Sequence, residues 1–132
     1  MRKRAVAVII RKKKILLLRR FKKGVEYFTL PGGGKRKSET PSQAAAREAK
    51  EEVCLIVRPK KFIGQIRNLG HDEYYIVMES LSGKPKLGRD LLRQTNKNNK
   101  YIIVWLRLSD FYQLTNFYPK KIQNVLAKEL RN

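Results

Sequence analysis

The chain predicts an α+β domain: strands first, then a helix, then further strands and a closing helix. Three observations carry that expectation. β-type apolar runs fill the region up to Leu30, a capped helical segment opens at Pro41, and apolar residues recur at helical spacing from Pro119 onward. We find no repeat and no low-complexity linker. At 132 residues the chain is long enough for a single domain, 1–132, with an ordinary core.

Ala5–Ile10 and Ile15–Arg19 read as the first two strands, with the basic tetrad 11–14 as their hairpin loop. Val25–Leu30 contains Tyr27, Phe28 and Thr29 and reads as a third strand. Pro31-Gly32-Gly33-Gly34 ends it. Thr40 is then an N-cap, Pro41 the first helical residue and Gln43 the capping-box partner, so a helix runs to about Val53. Phe62–Arg67 is a strand, Asn68–Asp72 a turn, and Glu73–Leu81 a strand. That last strand places Tyr75, Val77 and Glu79 on one face and Tyr74, Ile76 and Met78 on the other. Ser82–Lys100 is polar, rich in Gly, Pro and Asn, and reads as a flexible loop. Tyr101–Leu108 is a strand and Ser109–Leu114 a short helical turn. Pro119–Arg131 is an amphipathic helix with Ile122, Val125, Leu126 and Leu130 on its apolar face.

The composition is 42% hydrophobic, too apolar for a disordered chain. Thirty-one Lys and Arg against 11 Asp and Glu give a net charge of +20, which favours polyanions: nucleotides, RNA, DNA or an acidic membrane surface. No apolar run approaches the roughly 20 residues needed to span a bilayer. The basic Met1–Arg4 and apolar Ala5–Ile10 lack the length and cleavage site of a signal peptide. Cys54 is the only cysteine, which suits a reducing compartment, and a cytoplasmic location is expected. Free strand edges leave a homodimer open.

Acids are scarce, yet Glu39, Glu48, Glu51 and Glu52 crowd one short segment. Positions 48, 51 and 52 share a helix face at its C-terminal end. Each acid there is unfavourable by about 0.3–1 kcal/mol, and a divalent cation would reverse the sign. The glycine loop does not fit a phosphate-binding G-x-x-x-x-G-K-[ST], because Gly34-Lys35 is followed by Arg36. It does not fit G-x-G-x-x-G either.

What fits is G-x5-E-x7-R-E-U-x-E-E-x-G-U, with U aliphatic. Here it reads Gly33, Glu39, then Arg47-Glu48-Ala49-Lys50-Glu51-Glu52-Val53-Cys54-Leu55. This resembles the Nudix hydrolases, as do the flanking Leu30-Pro31-Gly32-Gly33 and Glu39-Thr40-Pro41. Cys54 stands where the family usually has glycine, and Ala49 thins the aliphatic position. Many relatives carry another glutamate before the late tryptophan. Asn98-Asn99-Lys100-Tyr101 holds none, leaving Asp72, Glu73 and Glu79 as candidates to replace it.

The resemblance implies an α-β-α sandwich with a mixed sheet, and hydrolysis of a pyrophosphate bond in a nucleoside di- or triphosphate derivative. It implies Mg²⁺ or Mn²⁺ held by Glu48, Glu51, Glu52 and the Gly32 carbonyl. Glu48 is the leading general base and Glu51 the alternative, while Arg47 orients a carboxylate. Gly33 and Glu39 shape the substrate loop. Asn116 can donate to and accept from a purine, and Tyr27, Phe28, Tyr74 and Tyr75 could stack on a base. The alternative reading is RNA: a binding module, or an enzyme trimming RNA 5′ ends through its basic surface.

Overall fold

A computed structural model describes residues 2–130. Strands β1 (Lys3–Arg11) and β2 (Lys14–Lys22) are near-continuous apolar runs, the pattern of strands covered on both faces. Both faces are covered. Ala5, Ala7, Ile9, Leu16 and Leu18 pack beneath α1 (Pro41–Val53). Val6, Val8, Ile15 and Leu17 pack beneath α4 (Lys120–Leu130), which inserts Ile122 and Leu126. The result is the expected α-β-α sandwich. Arg131, the last residue of the expected final helix, lies outside the described residues.

The sheet is mixed. β1 runs parallel to β6 (His71–Glu79) and antiparallel to β4 (Gly32–Gly34). β2 runs antiparallel to β3 (Val25–Thr29) and β7 (Asn99–Arg107). β5 (Arg58–Asn68) forms the outer edge beside β6. β1 and β2 pair at their hairpin, Ile10 with Ile15 and Arg11 with Lys14. Toward Lys3, β1 pairs with β4 instead, and the two strand groups separate. Their separation makes the cleft described below.

Several boundaries differ from expectation. The first hairpin loop is Lys12-Lys13, both at positive φ, because two left-handed residues match strand twist in a tight turn. Leu69-Gly70 closes β5–β6 in the same way, so Asn68, His71 and Asp72 belong to strands. β5 begins at Arg58, where its polar edge gave no alternation to read. The short turn α3 covers Leu108–Phe111.

The largest correction concerns residues 82–100. This stretch contains a helix, α2 (Arg89–Gln94), and its backbone docks on the end of α1. Lys86 N–H donates to Val53 O (3.1 Å) and Gly88 N–H to Glu52 O (2.8 Å). Terminal carbonyls of a helix lack intrahelical donors, and this segment supplies two.

α1 itself begins as its capping residues dictate. Thr40 Oγ1 accepts from Gln43 N–H (3.1 Å), and Gln43 Oε1 accepts from Thr40 N–H (2.9 Å). It ends at Cys54, whose φ of 58° and ψ of 34° are left-handed, with its N–H on Lys50 O. A side chain there costs about 1–2 kcal/mol that glycine avoids. Cys54 is exposed, so little packing is lost on truncation. Cys54→Gly is expected to raise stability by about 1 kcal/mol in a denaturant melt.

Candidate active site

β4 consists of three glycines, and two of the backbone groups that leave its ladder meet side chains of α1. Gly32 N–H donates to Glu52 Oε1 (2.9 Å), and Gly34 O accepts from Arg47 Nη2 (2.8 Å). Side chains here would block that approach. A Cβ on Gly32 would sit 2.6 Å from Ala5 O, and one on Gly33 would sit 2.5 Å from the Glu48 carboxylate.

Arg47 is the hub of the acidic group. Nε donates to Glu39 Oε2 (2.6 Å) and Nη2 to Glu39 Oε1 (3.0 Å), a bidentate pair. Nη1 donates to Glu48 Oε1 (2.8 Å) and, more weakly, to Glu51 (3.3 Å). The contact with Glu51 is therefore the lesser part of what Arg47 does. Glu39 also accepts from Arg36 N–H (2.9 Å), which ties the loop to the helix. Lys35 Nζ bonds backbone carbonyls of Arg36 and Glu39, so it braces this loop.

The electrostatics separate the acids. The Arg47 guanidinium and the Arg36 amide hold Glu39 down at about 2. Burial drives Glu52 up to about 7, and the neighbouring Glu48 carboxylate adds to the rise. Burial also raises Glu48, against the pull of Arg47. Arg4 opposes the rise at both. Glu51 is nearly half exposed and turns toward solvent.

Glu48 and Glu52 lie in the floor of a cleft of about 1140 Å³ between the two strand groups. Among the described residues no three acidic, His or Cys side chains stand together as a preformed metal cluster. Arg47 takes up Glu48 and Glu51, and Gly32 takes up Glu52. The donor set nonetheless fits a hard divalent cation. It offers buried carboxylate oxygens whose charged form the protein alone under-compensates.

The three acids proposed to replace the missing glutamate part company here. Glu79 pairs with Arg58 and Lys60 at the far end of β6, and Asp72 pairs with Arg67. Glu73 alone lines the cleft. It is buried, accepts from Tyr75 Oη (2.7 Å), and pairs with Arg4 Nε (3.4 Å). Arg4 and Arg20, both cleft-lining, escaped the sequence reading, since isolated basic residues are unremarkable in so basic a chain. Asn116 lies outside the cleft lining, where its Nδ2 donates to Glu26 O (3.2 Å). Tyr27 and Tyr75 line the cleft, whereas Tyr74 packs on the α1 side and Phe28 on the α4 side.

Fold and site together set a glycine strand against a carboxylate-bearing helix beside one cleft. The chain belongs to the Nudix family: the NUDIX domain matches residues 1–126. No curated protein sequence matches it. Solved structures share the fold. The E. coli ORF135 protein is 20% identical, with 98% of this chain and 89% of that chain covered and a TM-score of 0.69. A MutT NUDIX hydrolase from Burkholderia pseudomallei is 21% identical, with 96% and 95% covered and a TM-score of 0.67. An ADP-ribose pyrophosphatase from Streptococcus suis is 19% identical, with 99% and 92% covered and a TM-score of 0.68. No described helix is long and apolar enough to cross a membrane.

Proposed function

We propose that residues 1–132 act as one metal-dependent domain. It cleaves a pyrophosphate bond in a nucleoside di- or triphosphate derivative, oxidised nucleoside triphosphates included among the candidates. The observation that supports this most is the pair of buried, raised carboxylates, Glu48 and Glu52, beside a glycine strand in a cleft. A fold has no use for such a pair without a cationic ligand to complete it.

Glu52, Glu48, Glu51 and the Gly32 carbonyl would hold Mg²⁺ or Mn²⁺. When bound, the ion polarises phosphoryl oxygens and acidifies the attacking water. Glu48 takes the proton of that water, a role its raised pKa suits; Glu51 is the alternative base. Arg47 keeps Glu48 from turning away. Gly33 leaves room for Glu48, and Glu39 fixes the loop through Arg47.

A panel of nucleoside triphosphates, dinucleoside polyphosphates, nucleotide sugars and 5′-triphosphorylated RNA tests the reading. Release of phosphate or pyrophosphate from at least one nucleotide, dependent on Mg²⁺ or Mn²⁺, is expected. Silence across the whole panel refutes it. The RNA reading draws on Arg2, Arg67, Lys120 and Lys121, which line the cleft, and on the +20 charge. If RNA is the ligand, log K falls steeply with log[salt]; a small nucleotide gives a shallow slope.

A further inference from the structure

Arg20 is held in an unusual way. In β2 it stands opposite Tyr27 of β3 and Tyr101 of β7 in the sheet register. Its guanidinium carbon lies 3.8 Å from the Tyr101 ring centroid and 5.5 Å from that of Tyr27. Asn99 Oδ1 accepts from Nη2 at 2.7 Å. Gln94 Oε1 accepts from Tyr101 Oη at 2.9 Å, and Tyr118 meets Tyr27 edge-on, so both rings are braced. Yet Arg20 Nε is buried with no hydrogen-bond partner in the protein. A buried donor on a charged group is expensive to leave unmade. Arg20, Tyr27, Gln94, Tyr101 and Tyr118 line the cleft that holds Glu48 and Glu52.

We propose that Arg20, clamped by Tyr27 and Tyr101, selects the nucleobase of the substrate, and that it selects unoxidised guanine. The inference rests on the pyrophosphohydrolase reading and deepens it. The two rings, one from each neighbouring strand, leave the guanidinium's in-plane edge to a ligand with two adjacent acceptors. Guanine presents O6 and N7, two adjacent acceptors that a guanidinium edge matches. Adenine sets a donor beside N7, and cytosine presents a donor. Oxidation at C8 converts N7 to a donor and removes half the match.

The probes are GMP, AMP, CMP, 8-oxo-GMP and inorganic pyrophosphate, each titrated calorimetrically into the full-length protein with Mg²⁺. None needs turnover to be read. GMP should bind about tenfold tighter than the other nucleotides, or more. Arg20→Lys keeps the charge but loses the fork; it should bring GMP to the AMP level and leave pyrophosphate unchanged. Asn99→Ala, which releases the guanidinium, should shrink the GMP preference and also spare pyrophosphate. Thermal melts verify that both variants fold. Equal binding of all nucleotides to the native protein overturns the inference. So does an Arg20→Lys protein that loses pyrophosphate as strongly as GMP, since Arg20 would then be a phosphate contact. Turnover of nucleotides without base preference sinks the guanine assignment alone. Absence of turnover and of nucleotide binding sinks the hydrolase reading with it.

Discussion

Glu52→Gln should cut metal-dependent turnover severely and, in chelator, make the protein more stable at pH 8. The two effects have one origin. Glu52 is mostly enclosed, its Oε1 bonded to Gly32 N–H, and its carboxyl is raised from 4.5 to about 7. Between those values the folded protein holds a proton that the unfolded chain has released. Native stability therefore falls as pH rises through that window. The difference corresponds to at most about 3 kcal/mol at pH 8. Glutamine keeps the acceptor for Gly32 and has no charge to bury, so its variant should gain about 1–3 kcal/mol at pH 8 and almost nothing at pH 4. Glu48 shifts in the same direction and leaves some slope behind. Turnover should fall by about 10²–10³-fold, the cost of losing one strong charge-stabilising group. Urea melts at the two pH values, beside a Mg²⁺-dependent assay, check both halves. A variant with native activity, or one with lower stability at pH 8, removes Glu52 from this role.

Much of the fold was legible where local chemistry and burial agree. Thr40, Pro41 and Gln43 mark the start of α1 to the residue, because a capping box pairs orphan backbone donors at the helix start within the local sequence. The faces of β6 also emerge as read: Tyr75 and Val77 meet the α4 layer, and Tyr74, Ile76 and Met78 the α1 layer. β4 was invisible because three glycines carry no side-chain pattern, and it exists by pairing with β1. α2 was missed for a related reason. Its six residues bury only Leu91, and Gly88 caps it without a side chain. In the site, the spacing of the glutamates was legible. The bidentate Arg47–Glu39 pair was not, since the loop that brings them together has no periodicity. Arg20 sits on β2 between β3 and β7, and only tertiary register places Tyr27 and Tyr101 beside it.

The same substitution at two glycines should separate function from stability. In Gly33→Ala the new Cβ would meet the end of the Glu48 side chain at 2.5 Å. A flexible carboxylate can swing aside, so the fold should lose little, about 1 kcal/mol. The displaced Glu48 should cost about 10²-fold in turnover, because small misplacements of a reacting group are expensive. Gly88→Ala presents the opposite case. Its Cβ would fall on the Glu51 carbonyl oxygen, backbone against backbone, and near the Glu52 Cα. Neither partner can rotate away. The segment must lift off α1, breaking the bonds from Gly88 N–H to Glu52 O and from Lys86 N–H to Val53 O. A loss of about 3 kcal/mol is expected, with a fall in Tm of about 10 °C. Lifting that clasp also frees the turn of α1 that carries Glu51 and Glu52, so turnover should drop in the fraction that remains folded. Melts and kinetics of both variants, read together, test the assignment. If Gly88→Ala melts like the native protein, the segment does not clasp the helix in solution. If Gly33→Ala turns over normally, Glu48 does not need the space beneath it.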